Sequence, residues 1–224
     1  MAEDIVPGLL EDIESTYAKY TSQSKKLTTL AKKIEKGTAS KLDAYTYANE
    51  IGNIRAKTFK KCLSSSVLPD GKMYYNIAER IVNGTLPADE KKIAEFCQIV
   101  QNNYNKSMKI GLKAQKATLD QSRLDGIIEK LVSGDIYDDV AWILDEPVKT
   151  WARGIVDDTE KANARFQSKA GIKLIVVRTS DGGCCQWCSA LEGVYDYDDV
   201  KADGSEVWLR HDNCKCTIEV QAEK

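Results

Sequence analysis

A single histidine stands in this 224-residue chain, and it stands among cysteines. Cys185-Gln186-Trp187-Cys188 is separated by 22 residues from His211-Asp212-Asn213-Cys214-Lys215-Cys216, and five of the seven cysteines fall in this C-terminal stretch. A Cys-x-x-Cys turn aims two thiolates at one tetrahedral ion. A second segment bearing His and Cys supplies the other ligands, so two short segments clamp a metal without a large core. Structural zinc is the cofactor this pattern implies, with Cys185, Cys188, His211, Cys214 and Cys216 as candidate ligands. Counting Cys184, six donors compete for four places. On a strand Cys214 and Cys216 would share a face, so either or both can serve, and Cys184 is the bystander because Cys185 and Cys188 hold the knuckle spacing.

Other chemistries of the same residues are weaker. A disulfide between the two segments needs an oxidising compartment, whereas the chain opens Met-Ala-Glu-Asp-Ile with no basic, apolar, cleavable leader. No second histidine can act as base for a cysteine nucleophile. There is no glycine-rich phosphate loop, and Asp157, Asp158 and Glu160 read as a solvated helix face rather than a metal-binding carboxylate set. From Cys184 onward nine acids face four bases, a net of −5, which disfavours a DNA-binding zinc finger because phosphate contacts need Lys and Arg. The whole chain carries −2, and no run approaches the roughly 18 apolar residues of a membrane span.

The elements that must position this cluster are mostly helical. Leu10, Ile13, Tyr17, Tyr20, Leu27, Ala31 and Ile34 predict one long helix over 8–36, and Gly37 followed by Thr38-Ala39-Ser40 supplies a stop and then a cap for another over 40–65. After a turn at Pro69-Asp70-Gly71, a short helix over 72–83 should stop at Asn83-Gly84. Pro87 should open the next, running to about Thr118 with Ile93, Phe96, Cys97, Val100 and Tyr104 inside. Cys62 and Cys97 read as core residues. Lys106, Lys109, Lys113 and Lys116 would then share one solvated face, available to an acidic partner or a phosphate backbone. A short helix near 122–132 follows. The helix from Pro147 to about Ala170 should bury Val148, Trp151, Ile155, Ala162 and Phe166. Strand patterns appear only at 173–178, 207–210 and 216–220. The acidic run 195–204 has the oxygen content of a calcium loop without its ligand order or terminal Glu, and reads as a solvated hairpin loop. The expected architecture is a mainly α N-terminal part, 1–140, followed by a small α+β module, 141–224, closed by the Cys/His cluster.

Thr159-Glu160-Lys161-Ala162-Asn163-Ala164, Gly171, a strand, Cys185-x-x-Cys188, Leu191-Glu192-Gly193 and His211-x-x-Cys214-x-Cys216 occur in that order. Over about 145–220 this ordered set resembles the phage head-morphogenesis, or minor capsid, family related to the F protein of phage Mu. The resemblance implies a helix leading into a small sheet closed by the Cys/His cluster. It also implies a non-enzymatic structural protein of the virion head, made in the host cytoplasm. Such a protein acts near the portal in procapsid assembly or in DNA packaging and delivery. Its implied partners are portal, scaffold or capsid proteins, with packaged DNA contacted without sequence preference and no membrane; the first 140 residues would be the docking part. Two positions depart from the family pattern: Asp158 stands where Arg is common, which could deprive Glu160 of a charge partner, and Asp212 follows the histidine where Pro is frequent. The competing classes are an enzyme acting on nucleic acid or protein, since related domains are also fused to toxins, and a zinc-stabilised DNA-binding module.

Overall fold

The structure, a computed structural model, describes residues 4–118, 120–202, 204–211 and 213–223. Helices α1 (Val6–Gln23), α2 (Lys25–Glu35), α3 (Lys41–Cys62), α4 (Tyr75–Ser107), α5 (Gln121–Leu131), α6 (Tyr137–Val140) and α7 (Glu146–Lys169) precede the sheet. Strand β1 (Leu174–Thr179), helix α8 (Gln186–Ala190), strand β2 (Gly193–Asp196), helix α9 (Tyr197–Val200) and strand β3 (Thr217–Ala222) complete the chain. The mainly α part followed by a small α+β module with a Cys/His cluster is therefore the observed fold class.

Local chemistry sets most helix boundaries. Ser40 and Asp43 form a capping box at the start of α3, the Ser40 Oγ accepting from the Asp43 N–H and the Asp43 carboxylate accepting from the Ser40 N–H. The helix expected over 8–36 is instead two. Ser24 breaks it, capping α2 by accepting from the Leu27 N–H at 3.2 Å and donating its hydroxyl to Glu50 at 2.7 Å. Conversely, α4 runs unbroken through Asn83-Gly84 and Pro87, where a stop and a new start were expected. One apolar stripe, Ile77, Ile81, Val82, Leu86 and Ile93, is buried along its whole length, and that burial outweighs the hydrogen bond Pro87 cannot make. Gly84 contributes by close approach: a Cβ there would lie 3.2 Å from Leu10 Cδ2.

Helix α4 ends at Ser107 rather than near Thr118, with Lys109 taking a φ of 58°. The following segment, 110–118, is neither helix nor strand and is tied down by side-chain amides. Asn102 accepts from the Ala114 N–H, Asn105 donates to the Leu112 carbonyl, and Asn163 bonds both backbone groups of Gln115. Lys106, Lys109, Lys113 and Lys116 consequently do not form a helical face. Buried Cys97 is a core residue as expected, while Cys62 is only half-buried, its thiol near the Asp12 carbonyl and the Thr16 hydroxyl.

Helix α7 serves both parts of the fold. Its first half places Val148, Trp151, Ala152, Ile155 and Val156 in the same core as α1, α3, α4 and α5, a core that continues past residue 140. Gly52 permits this crossing, since a Cβ there would sit 3.0 Å from Lys149 Cα. Its second half turns Asn163, Ala164 and Gln167 inward, while Ala162 is half-buried and Phe166 is exposed, contrary to the expected face. The reason is that amide side chains are needed there to bond the 110–118 backbone and Asn105.

The sheet is antiparallel, in the order β2-β1-β3, with Val176 opposite Tyr195 and Val220. Leu174, Val176, Ile218 and Val220 form its core with Ala164, Tyr197, Val200, Val207 and Trp208. The strand expected at 207–210 is absent. Its backbone carbonyls turn toward Arg178 instead, leaving a single 3-10 turn over Glu206–Trp208. The acidic run is not a solvated hairpin loop either. Tyr195 and Asp196 close β2, and Tyr197 and Val200 of α9 are buried; Asp203 lies outside the described residues. Among the described residues no helix is long and apolar enough to cross a membrane.

Candidate metal centre

The two cysteine-bearing segments meet beside the end of β1. Cys185 caps the N-terminus of α8, its carbonyl accepting from the Ser189 N–H at 3.0 Å, and one turn of helix then carries Cys188 inward. In the second segment Asn213 adopts a φ of 66°, and the Cys214 N–H returns to the His211 carbonyl at 3.2 Å. That tight turn brings His211 and Cys214 to the same side. Asn is among the residues that tolerate the left-handed region. Asp212, the departure after the histidine, lies outside the described residues.

All five candidate ligands lie in this one place, in two overlapping triads that share Cys188. Sγ of Cys185, Sγ of Cys188 and a ring nitrogen of His211 form the first, and Cys188, Cys214 and Cys216 the second, with the ligand atoms of each triad within 4.8 Å of one another. His211 Nε2 lies 3.0 Å from Cys188 Sγ and 3.3 Å from Cys185 Sγ, and Cys188 Sγ lies 3.7 Å from Cys214 Sγ. A tetrahedron with metal–sulfur bonds of about 2.3 Å and metal–nitrogen bonds of about 2.0 Å has edges of roughly 3.5–3.8 Å. The Cys188–Cys214 spacing matches, the two His211 spacings are shorter, and no four of the five donors lie all within 4.8 Å of one another. The clusters could hold a metal ion. Cys188, Cys214 and Cys216 are each 1% exposed, whereas Cys185 is at the surface. Cys184 and Trp187 pack against them, half-buried, and the Trp187 ring meets the His211 ring edge-on at 5.7 Å.

Two buried arginines surround the thiols. Arg178 on β1 binds the carbonyls of Glu206, Val207 and Leu209 through one nitrogen and reaches Cys188 Sγ at 3.9 Å through another. Arg210 contacts both the carbonyl and Sγ of Cys214, at 3.4 and 3.6 Å. Burial opposes ionisation of Cys214, but the Arg210 charge and the Cys216 N–H prevail and hold its thiol below the ordinary value. The Cys188 N–H does the same for Cys185. Burial pushes Cys188 and Cys216 up. Without a cation these buried thiols resist ionising together; a bound cation supplies the missing positive charge.

Of the three carboxylates expected on a solvated helix face, Asp157 and Glu160 are buried and Asp158 is half-buried. Asp157 is 3% and Glu160 6% exposed. Asp157 binds Arg210 through both oxygens and accepts from the Tyr45 hydroxyl at 2.5 Å. Glu160 accepts from Lys41 Nζ at 2.6 Å and from the Val220 N–H at 2.8 Å. Lys41 of α3 therefore provides the charge partner that Asp158 does not, and Asp158 pairs with Arg123 at 2.6 Å. Sequence reasoning missed Arg178 although a signal existed: it has the same parity on β1 as Leu174 and Val176, an inward position. Arg210 carried no comparable signal.

No protein-family model, curated protein or solved structure matches this chain.

Proposed function

We propose that the chain is a minor capsid, head-morphogenesis structural protein of a tailed phage, acting near the portal in procapsid assembly or in DNA packaging and delivery. The observation that supports this most is the convergence of Cys185-x-x-Cys188 and His211-x-x-Cys214-x-Cys216 at a small sheet backed by the helix bearing Thr159-Glu160. Order in sequence and meeting in space are independent properties, and the resemblance implies both.

In this reading the centre is structural and its ion is zinc. The donors are soft thiolates with one imidazole, which suit zinc better than the oxygen-seeking magnesium or calcium. Cys185, Cys188, His211 and Cys214 would fill four places, and Cys216 is the alternative to Cys214. Arg178 and Arg210 offset the negative charge that three thiolates leave around a divalent ion. A site closed by four protein ligands has no open position for substrate, and its histidine is spent as a ligand, so in this reading the centre is not catalytic and the protein acts as a structural part rather than an enzyme. Its partners are portal, scaffold or capsid proteins, and its place is the virion head.

Elemental analysis of the purified full chain should find one zinc per chain, with fewer reactive thiols than seven until chelator is added. Antibody against the chain should detect it in procapsids and purified particles. Deletion of the gene should leave shells that assemble but give fewer infectious particles. Absence from both procapsids and particles, together with activity on nucleic acid in solution, would overturn the virion reading and favour the enzyme.

A further inference from the structure

A second feature shares Arg210 with the thiol cluster but includes none of the cysteines. Helix α5, helix α7 and the Trp208–Arg210 segment enclose a cleft of about 460 Å³. Ile127, Ile143, Pro147, Trp151 and Trp208 give it apolar walls. Two glycines keep it open. At Gly126 an added Cβ would meet nothing within 4 Å, and at Gly154 it would sit 3.0 Å from the Arg123 guanidinium, which lies across α7 there to reach Asp158.

The charges lining the cleft are unequal. Arg123, Lys130, Lys161 and Arg210 contribute four cations against Asp157 and Asp158. Both carboxylates are already engaged, Asp158 by Arg123 and Asp157 by Arg210. The surplus is carried by Lys130, exposed and without an ion pair among the described residues, and by Lys161, whose ammonium stands 5.5 Å from the Trp208 ring centre. An apolar hollow with a cationic rim selects a bulky apolar group flanked by negative charge.

We propose that this cleft docks an acidic segment of a partner protein, with one aromatic or large aliphatic side chain seated among Ile127, Pro147 and Trp151. Its neighbouring carboxylates meet Lys130 and Lys161. A nucleic-acid strand fits less well, because successive phosphates need a continuing row of free cations, whereas this site offers two and places Asp157 and Asp158 beside them. The inference needs neither the metal nor the virion reading.

The test uses the full chain and a fluorescein-labelled peptide, Asp-Asp-Glu-Phe-Glu-Asp-Asp, in anisotropy titrations. Two controls replace its Phe by Ser or all its acids by Lys, and a third probe is labelled oligothymidine. The acidic Phe peptide should bind about tenfold or more tighter than either control peptide, since it alone satisfies both the hollow and the rim. Gly126→Trp, which fills the hollow from a helix surface with room for it, should abolish binding. Lys130→Glu combined with Lys161→Glu should weaken it about tenfold, with helical circular dichroism unchanged in both variants. Equal binding of the Ser peptide, undiminished binding by Gly126→Trp, tighter binding of oligothymidine, or no peptide binding at millimolar concentration would each overturn the proposal.

Discussion

Arg210 and Asp157 form a buried two-pronged ion pair in which each partner also serves a second group. Asp157 accepts from the Tyr45 hydroxyl of α3, and Arg210 touches the sulfur of Cys214. The Tyr45 oxygen in turn accepts from the Ile218 N–H on β3, and its single proton is shared between Asp157 and the Ile218 carbonyl. One continuous polar chain therefore runs from the helical core through α7 to the candidate metal centre. Lys41, Glu160 and Val220 repeat the arrangement one turn of helix away. Such networks are costly to break at any one member, because the remaining charge stays buried without its partner.

Asp157→Asn should accordingly destabilise the fold by about 3–5 kcal/mol, the usual result of stranding one member of a buried pair. Burial alone would lower the pKa of Arg210, yet Asp157 holds it raised, a sign of how strongly the pair depends on that carboxylate. Asp158→Asn is the control, since its partner Arg123 is 39% exposed and such a pair is worth about 0–1 kcal/mol. Urea unfolding of both variants checks the contrast; equal losses would mean that the Arg210 pair is not special.

Asp43 makes part of the stability depend on pH. Burial pushes its carboxyl up, but the bonds from Lys33 and from the Ser40 N–H and hydroxyl prevail, leaving it below the usual carboxylate range. The folded state thus favours the ionised form. Its contribution is complete above the unfolded value near pH ~4 and is lost as pH falls through the lower folded value. Asp43→Ala should cost about 1 kcal/mol at neutral pH, as loss of a cap does, and the difference from the parent protein should shrink below pH ~4. Unfolding midpoints measured between neutral and acidic pH would show this convergence.

Two glycines should respond in opposite directions to the same substitution. At Gly52 a new methyl group meets the Lys149 backbone at 3.0 Å and Ala152 Cβ at 3.2 Å, where α3 crosses α7. Gly52→Ala should cost about 1–3 kcal/mol through overpacking. Gly126 lies within α5 with open space above it, so Gly126→Ala should gain roughly 0.5–1 kcal/mol from helix propensity alone. Thermal midpoints moving in the same direction for both would contradict this account.

The features legible in the sequence are the local ones. Cys185-x-x-Cys188 and His211-x-x-Cys214 are short-range spacings whose geometry is fixed by turns of a few residues, and the helix stop and new cap at Gly37 and Thr38-Ala39-Ser40 are of the same kind. The burial of the α7 carboxylates was illegible because their decisive partners are remote, Tyr45 being 112 residues from Asp157 and Lys41 119 residues from Glu160. The misread region around Asn83, Gly84 and Pro87 is a case in which tertiary burial overrode local stop signals. The missing strand at 207–210 failed for another reason: its carbonyls are claimed by a buried guanidinium, which no alternation of residues in that segment reveals.

The five-donor cluster yields the most discriminating series. Cys188 belongs to both triads, so Cys188→Ser should abolish metal binding and unfold the sheet module, whereas Cys184→Ser should do neither. Cys214 stands 3.7 Å from Cys188 Sγ and has Arg210 beside it to favour its thiolate, so it should be the fourth ligand. Cys214→Ser should then lose the zinc that Cys216→Ser keeps. Structural zinc contributes about 10–16 kcal/mol in small zinc peptides, far more than a three-stranded sheet can supply by itself. Chelator should therefore remove hydrogen-exchange protection from β1 and β3 while leaving it in α3 and α4, whose core includes none of the five candidate ligands. Acidification should act similarly, because the ligands bind only as thiolate and neutral imidazole, and protons compete for both. Protection in β1 and β3 that survives complete chelation, or zinc retained by Cys188→Ser, would show that the cluster is held by packing alone.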